Sequence, residues 1–378
     1  MTPTWRLRLL AWGIASMIIS GPAAATRNDD IDRLMRDYTG DAPGASVLVV
    51  HEGRVVFERA YGMADRDAGV AAAPRTDYRL ASITKQFTAA CILLLAEEGK
   101  LSIDDPARRW LPSLPAAADG VTLRHLLSHT SGLVDYEDLI PEGQTAQAHD
   151  DDVLRLLEGE DRTYFPPGTG YRYSNSGYAL LALVVERASG LGFAEFLRTR
   201  IFLPLGMADT LARQDGGPPV PRRAYGYSRG SDGGWVRTDQ STTSAVLGDG
   251  GIYSSVADLA KWNAAIDDRR LLAPASWALA LQPATATPEP DVAHYGFGWR
   301  LHEGMQWHSG ESIGFRNVLV RFPGRRLAVV VLTNRDDPEP YPLARRIAAL
   351  WGAPEAGFPE PQQNESSLTQ STERNGQR

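Results

Sequence analysis

The chain has 378 residues, 43% hydrophobic and 22% charged, which excludes wholesale disorder and fibrous repeats. Its net charge of −7 argues against nucleic acid or an anionic membrane surface as the main partner. Cys91 is the single cysteine, so no intrachain disulfide and no cysteine-built zinc site can form.

The N-terminus reads as a targeting segment. Arg6 and Arg8 precede an apolar run from Leu9 to Ile19, and Ala23-Ala24-Ala25 offers an A-x-A cleavage site. That run is about half of the roughly 20 residues a transmembrane helix needs. Residues 1–25 are therefore expected to be a signal peptide, and the mature chain to be exported, periplasmic or secreted, with no stable membrane anchor.

Ala45–His51 is a β-branched run; Glu52-Gly53 then gives a tight turn into Arg54–Arg59, predicting a hairpin. From Thr84 to Glu98, apolar residues recur at helical spacing, and Gly99 supplies the stop. Short helices are predicted over Val121–His129 and Ala179–Ala188, and Ser255 to Asp258 resembles a capping box opening a helix through Ile266. Gln282–Asp291, rich in Pro and Thr, reads as a loop. Phe315–Phe322 and Arg326–Asn334 flank Pro323-Gly324-Arg325 as a second hairpin, and Tyr341–Trp351 closes the domain as a helix. Residues 353–378 are polar and predicted to be disordered. Strands cluster at both ends and helices fill the middle, an α+β pattern of an antiparallel sheet with helices packed on it.

Three short motifs carry chemistry. Ser82-Ile83-Thr84-Lys85 opens a helix, and only three lysines occur in the chain. Residues at i and i+3 share a helical face. A serine hydroxyl is a poor nucleophile until a base takes its proton. A lysine serves only where burial or a neighbouring cation loosens its hold on its own proton. The helix N-terminus adds N–H groups where an oxyanion would form. Tyr173-Ser174-Asn175, read as extended, places a phenol and an amide on one side; the phenol could share a proton with Lys85. His308-Ser309-Gly310 leads into the last hairpin, and Gly310 would let a substrate backbone approach a strand closely. Alone, the second motif is better read as a buried tyrosine with a capping asparagine, and the third as a strand-end histidine.

Together, in this order, they resemble the serine β-lactamase and penicillin-binding protein superfamily, in its class C-like branch. Val121 to Leu133, Pro204-Leu205-Gly206-Met207 and Gly250-Gly251-Ile252-Tyr253-Ser254 also resemble that branch, so the likeness runs from about residue 38 to 352. The resemblance implies a five-stranded antiparallel sheet flanked by helices, with an inserted all-helical subdomain. Its sheet part would span about 26–80 and 246–352 and its insert about 81–245. It implies Ser82 as the acylated nucleophile, with Lys85 and Tyr173 relaying protons. Asn175, His308, Ser309 and Gly310 would bind substrate, and the N–H groups of Ser82 and Glu311 would form the oxyanion hole. His308 stands where class C β-lactamases hold a lysine. At neutral pH it mostly lacks that fixed charge for a substrate carboxylate.

The expected function is a serine hydrolase working through an acyl-enzyme, without cofactor or metal, on a small ester, amide or D-peptide. Peptidase action of the DD-carboxypeptidase kind ranks level with esterase action, and β-lactam hydrolysis comes third. The other function class is a slowly acylating or non-catalytic peptide-binding sensor. Gly310-Glu311-Ser312-Ile313-Gly314 matches a nucleophile elbow, but that elbow needs a helix after it and a later histidine, and neither follows. His125 and His129 have zinc-ligand spacing, but Leu126 stands where the glutamate of H-E-x-x-H belongs. They read as structural. Asp249 reads as a turn residue, Cys91 as a core thiol, and residues 134–165 and 212–245 as specificity loops.

Overall fold

The computed structural model describes residues 22–354. The expected signal peptide lies outside that range except for residues 22–25, and the expected tail lies outside it from residue 355.

Eight antiparallel strands form the main sheet: β1 (Ala45–His51), β2 (Arg54–Tyr61), β3 (Thr285–Ala286), β4 (His294–Tyr295), β5 (Arg300–His302), β6 (Met305–Ser312), β7 (Phe315–Phe322) and β8 (Leu327–Thr333). Their order is β3-β4-β5-β6-β7-β8-β1-β2. The expectation of five strands is corrected to eight. The five long ones form the contiguous block β6 to β2, and β3, β4 and β5 extend one edge. Each added strand has only two or three residues, too few for alternation to show in sequence. One lies in the Pro/Thr-rich stretch read as a loop. The predicted β1–β2 turn is present, with Glu52 at φ 51° and Gly53 at φ 74°, the pair of left-handed residues a two-residue hairpin requires.

Strands β1 and β8 read as nearly unbroken apolar runs because both faces of the sheet are covered there. Leu48, Leu319, Val330 and Leu332 pack into the helical side. Their neighbours Val47, Val49, Val318, Val320, Val329 and Val331 pack the other way. There they meet Ile31 of α1 (Pro22–Leu34) and Ala344 and Ile347 of a C-terminal helix (Tyr341–Ala349). Each buried Val or Leu contributes about 1.5–3 kcal/mol relative to exposure, so both layers are strongly held.

Helices on the other face build the site. They are α2 (Thr84–Glu97), α3 (Leu123–Leu127), α4 (Asp150–Glu158), α5 (Asn175–Ser189), the single turn α6 (Leu247–Gly250) and α7 (Val256–Asp267). Helix α5 starts earlier than its apolar periodicity predicts. Its first turn is Asn175-Ser176-Gly177-Tyr178, where Gly177 packs close to the Leu126 carbonyl of α3. Ser255 caps α7 through the Asp258 N–H at 3.2 Å. The return leg of the expected box is absent, since the Asp258 carboxylate turns to Asp209 N, Thr210 and Lys261.

Candidate active site

Ser82 sits in a single 3-10 turn, Ala81–Ile83, that runs straight into α2. Ala81, immediately before it, has φ 48°. A left-handed alanine costs roughly 1–2 kcal/mol, and the turn is held there from two sides. Leu80 N–H bonds to Ile252 O at 2.8 Å. Gly310 of β6 presses on the same turn from the sheet, so close that a Cβ there would overlap the Leu80 carbonyl oxygen. Gly310 thus admits the protein's own backbone, that of the turn carrying Ser82.

Lys85, one helical turn on, is fully buried. Its Nζ donates to Ser82 Oγ at 3.1 Å, to Asn175 Oδ1 at 2.7 Å and to the Asp249 carbonyl at 3.1 Å. It also lies 4.9 Å from the centre of the Tyr173 ring. Ser82, Lys85, Tyr173 and Asn175 therefore meet as the spacing predicts. The details differ in two ways. Asn175 is the first residue of a helix and not part of an extended strand. The Tyr173 hydroxyl is buried without a hydrogen-bond partner among the described residues, and Lys85 meets the ring rather than the oxygen.

Sequence reasoning missed four supports. His129 is buried, stacks 4.3 Å from the Tyr173 ring and takes the Ser174 N–H on Nδ1 at 3.1 Å. Asp135 accepts from Glu137 N at 3.1 Å and from Asn175 N at 2.6 Å, tying the 3-10 turn Tyr136–Asp138 to the start of α5. Asp249, read as a turn residue, turns its carbonyl to Lys85 and its carboxylate to the Tyr136 hydroxyl at 3.0 Å. Burial pushes that carboxyl up to about 7 against the opposing pull of Lys85. Asp150, at the start of α4, accepts from the N–H groups of Leu247 and Gly248 at 2.9 and 3.0 Å and so fixes the turn that carries Asp249. Only His129 left a trace in sequence, inside the segment from Val121 to Leu133; the others are long-range contacts.

The strand side holds the third motif. His308 is fully buried. Its Nδ1 lies 2.6 Å from Ser309 O and its Nε2 lies 3.0 Å from the Tyr295 hydroxyl. Burial, then the nearby Arg300, pushes the imidazole well below its ordinary range. With both nitrogens occupied inside the protein, His308 makes no contact with a substrate anion in this arrangement. Ser309 Oγ donates to Glu311 Oε1 at 3.3 Å. Ser82 and Glu311, whose N–H groups are the expected oxyanion donors, line one cleft with Arg79, Glu137, Asn175 and Asp249. Among the described residues no group of three or more His, Cys, Asp or Glu side chains is placed to hold a metal ion. His125 closes a capping box with Thr122 at the start of α3.

A family model described as Beta-lactamase matches residues 31–353. The chain belongs to the beta-lactamase family. It is a serine hydrolase of that family. It is 33% identical over 330 residues to penicillin-binding protein 4* of Bacillus subtilis (strain 168), covering 82% of this chain and 72% of that protein. It is 30% identical over 326 residues to a D-aminopeptidase of Gluconobacter oxydans (strain 621H), covering 82% of this chain and 59% of the relative. In three dimensions it is similar to an octameric penicillin-binding protein homologue from Pyrococcus abyssi, with TM-score 0.77 and 26% identity over 86% of this chain and 76% of that one. The sheet with helices on both faces is the β-lactamase and transpeptidase fold expected from the motifs.

Proposed function

We propose that this beta-lactamase-family protein cleaves amides or esters of amino acids, D-amino-acid peptides among them, through an acyl-enzyme on Ser82. The observation that carries the reading is the 3.1 Å contact from Lys85 Nζ to Ser82 Oγ inside a buried polar cluster. Ser82 Oγ bonds to the scissile carbonyl carbon as its proton passes to the Lys85–Tyr173 pair. The oxyanion forms against the N–H groups of Ser82 and Glu311. The pair returns the proton to the departing amine or alkoxide as the C–N or C–O bond breaks. Water then attacks the ester and releases the acid and free Ser82. Asn175 positions the substrate. The D-aminopeptidase and penicillin-binding relatives support the amide branch. The neutral, enclosed His308 argues against efficient β-lactam hydrolysis.

The reading extends, on the sequence alone, to export after cleavage behind Ala25. One experiment addresses all of this. Protein purified from periplasm or culture fluid is assayed on short-chain esters, a chromogenic cephalosporin and D-amino-acid peptides. Ser82→Ala is run alongside, and intact mass is measured before and after a serine-reactive acylating probe. Turnover and a mass adduct in wild type, both absent in Ser82→Ala, are expected. Equal turnover or labelling in the variant sinks the mechanism. An adduct without turnover identifies a sensor.

A further inference from the structure

Tyr173 stands in a stretch, Tyr171 to Ser174, that belongs to no helix and no strand. No ladder of backbone hydrogen bonds fixes it, so its place depends on what takes up its backbone N–H groups. Two of these groups, one on each side of Tyr173, end on a single residue. His129 O accepts from Arg172 N at 3.0 Å, and His129 Nδ1 accepts from Ser174 N at 3.1 Å. The imidazole also lies against the phenol, with ring centres 4.3 Å apart and an angle of 35° between the planes. One histidine thus grips Tyr173 by the residue before it, the residue after it and its own ring.

The grip is strained and electrically neutral. His129 follows α3 by two residues and has φ 59°. That left-handed conformation is costly for a residue with a side chain and persists only where the surroundings impose it. The turn is held by His129 N on Leu126 O at 3.4 Å and by Thr130 N on His125 O at 2.9 Å. Nδ1 accepts only in the neutral imidazole, with the hydrogen on Nε2. Burial, then Lys85, His308 and Arg300, pushes the imidazole well below its ordinary range, so the acceptor for Ser174 is kept at neutral pH. His129 Nε2 is buried without a hydrogen-bond partner among the described residues, so this side chain has no hydrogen-bonded route to Ser82. Nor does His129 line the cleft.

We infer that His129 is a positioning residue for acyl transfer: it holds the Tyr173 phenol beside Lys85 and affects the rate through the Tyr173 hydroxyl alone. The inference rests on the acyl-enzyme reading above and adds to it a residue that touches neither substrate nor nucleophile.

The test is a double-mutant cycle between His129 and the Tyr173 hydroxyl. Tyr173→Phe keeps the ring and backbone that His129 grips and removes only the oxygen. His129→Leu removes the acceptor and the aromatic face. His129→Asn keeps a side-chain acceptor and is at ease in the left-handed region, and it carries the cycle if the leucine variant fails to fold. The readout is the rate constant for labelling by a fluorophosphonate, in which Ser82 Oγ displaces fluoride from phosphorus as its proton passes to the Lys85–Tyr173 pair. Labelling needs no turnover, so intact mass follows it over hours in slow variants. His129→Leu should slow labelling by about 10–100-fold, as a small misplacement of a reacting group does, and His129→Asn should be intermediate. In the Tyr173→Phe background either substitution should change the rate by less than about twofold. A His129 substitution that slows labelling equally with and without Tyr173→Phe, or that leaves the wild-type rate, overturns the inference while leaving the hydrolase intact. A Tyr173→Phe variant that labels as fast as wild type, or a wild type that does not label at Ser82, overturns the reading beneath it, and the inference with it.

Discussion

The two walls of the cleft are built on different terms. On the helical wall, polar groups from three helical segments converge on the Lys85 amine: the Ser82 hydroxyl from the turn that opens α2, the Asn175 side chain from α5 and the Asp249 carbonyl from α6. On the strand wall, the side chains of β6 are consumed by the protein. His308 is held by Tyr295 and its neighbour's carbonyl, Ser309 leans on Glu311, and Gly310 makes room for Leu80. What the strand wall offers a substrate is chiefly backbone. In the proposed acyl-enzyme mechanism the helical wall holds the reacting groups, while the strand wall contributes shape and, at Glu311, a backbone N–H.

The comparison breaks first at Lys85. If that wall runs the proton transfer, Lys85→Met should cost about 10³-fold in kcat/KM, within the range of a positioned acid–base group. It should also lower stability by about 1–3 kcal/mol, because the Asn175 amide oxygen and the Asp249 carbonyl lose a buried donor. Steady-state kinetics and denaturant unfolding read the two effects separately. A loss below tenfold in rate would move the base elsewhere.

Gly310 tests whether the strand wall acts through shape. A methyl group there meets the Leu80 carbonyl, a backbone atom that can yield only by moving the turn. Overpacking of this kind costs about 1–3 kcal/mol. Ser82 lies two residues from Leu80, so Gly310→Ala should also lower kcat by roughly 10–100-fold, as a misplacement near 1 Å can. The unfolding midpoint and kcat on one ester substrate decide it. A variant that is destabilised but turns over normally would uncouple Gly310 from the nucleophile.

The same contrast explains what the sequence made legible. Ser82 and Lys85 share a helical face by local geometry, so their contact follows from spacing alone. Strands β1, β2, β7 and β8 follow from apolar runs and turn residues that need no partner to be seen, whereas β6 has no β-branched residue and is not predicted. The approach of Asn175 to Lys85 spans 90 positions and that of Asp249 spans 164, and no periodicity encodes either. The Asp249 contact uses a carbonyl, a group every residue carries, so no side-chain pattern could mark it. The three short edge strands left no pattern because two or three residues cannot alternate.

His308 gives the smallest expected effect and the sharpest contrast with a charge-bearing residue. Ser309 O can only accept, so Nδ1 carries the hydrogen and Nε2 accepts from the Tyr295 hydroxyl. That is a neutral imidazole, and adding a proton would turn Nε2 into a donor while Arg300 and Lys85 repel the new charge. The folded pKa lies below the unfolded value of about 6.5, so the stability this group contributes is complete above that pH and is lost as pH falls below it. By pH 5 part of that contribution is lost. Denaturant unfolding of wild type and His308→Gln at pH 7 and pH 5 isolates it, since wild type should lose ground to the variant at pH 5 while the other groups cancel. Activity should behave differently: His308→Gln should lower kcat/KM by only about fivefold, for one neutral hydrogen bond. The pH–rate profiles of the two proteins should keep the same shape from pH 5 to 8. A limb present in wild type and missing in the variant would mean that His308 titrates in reach of substrate after all.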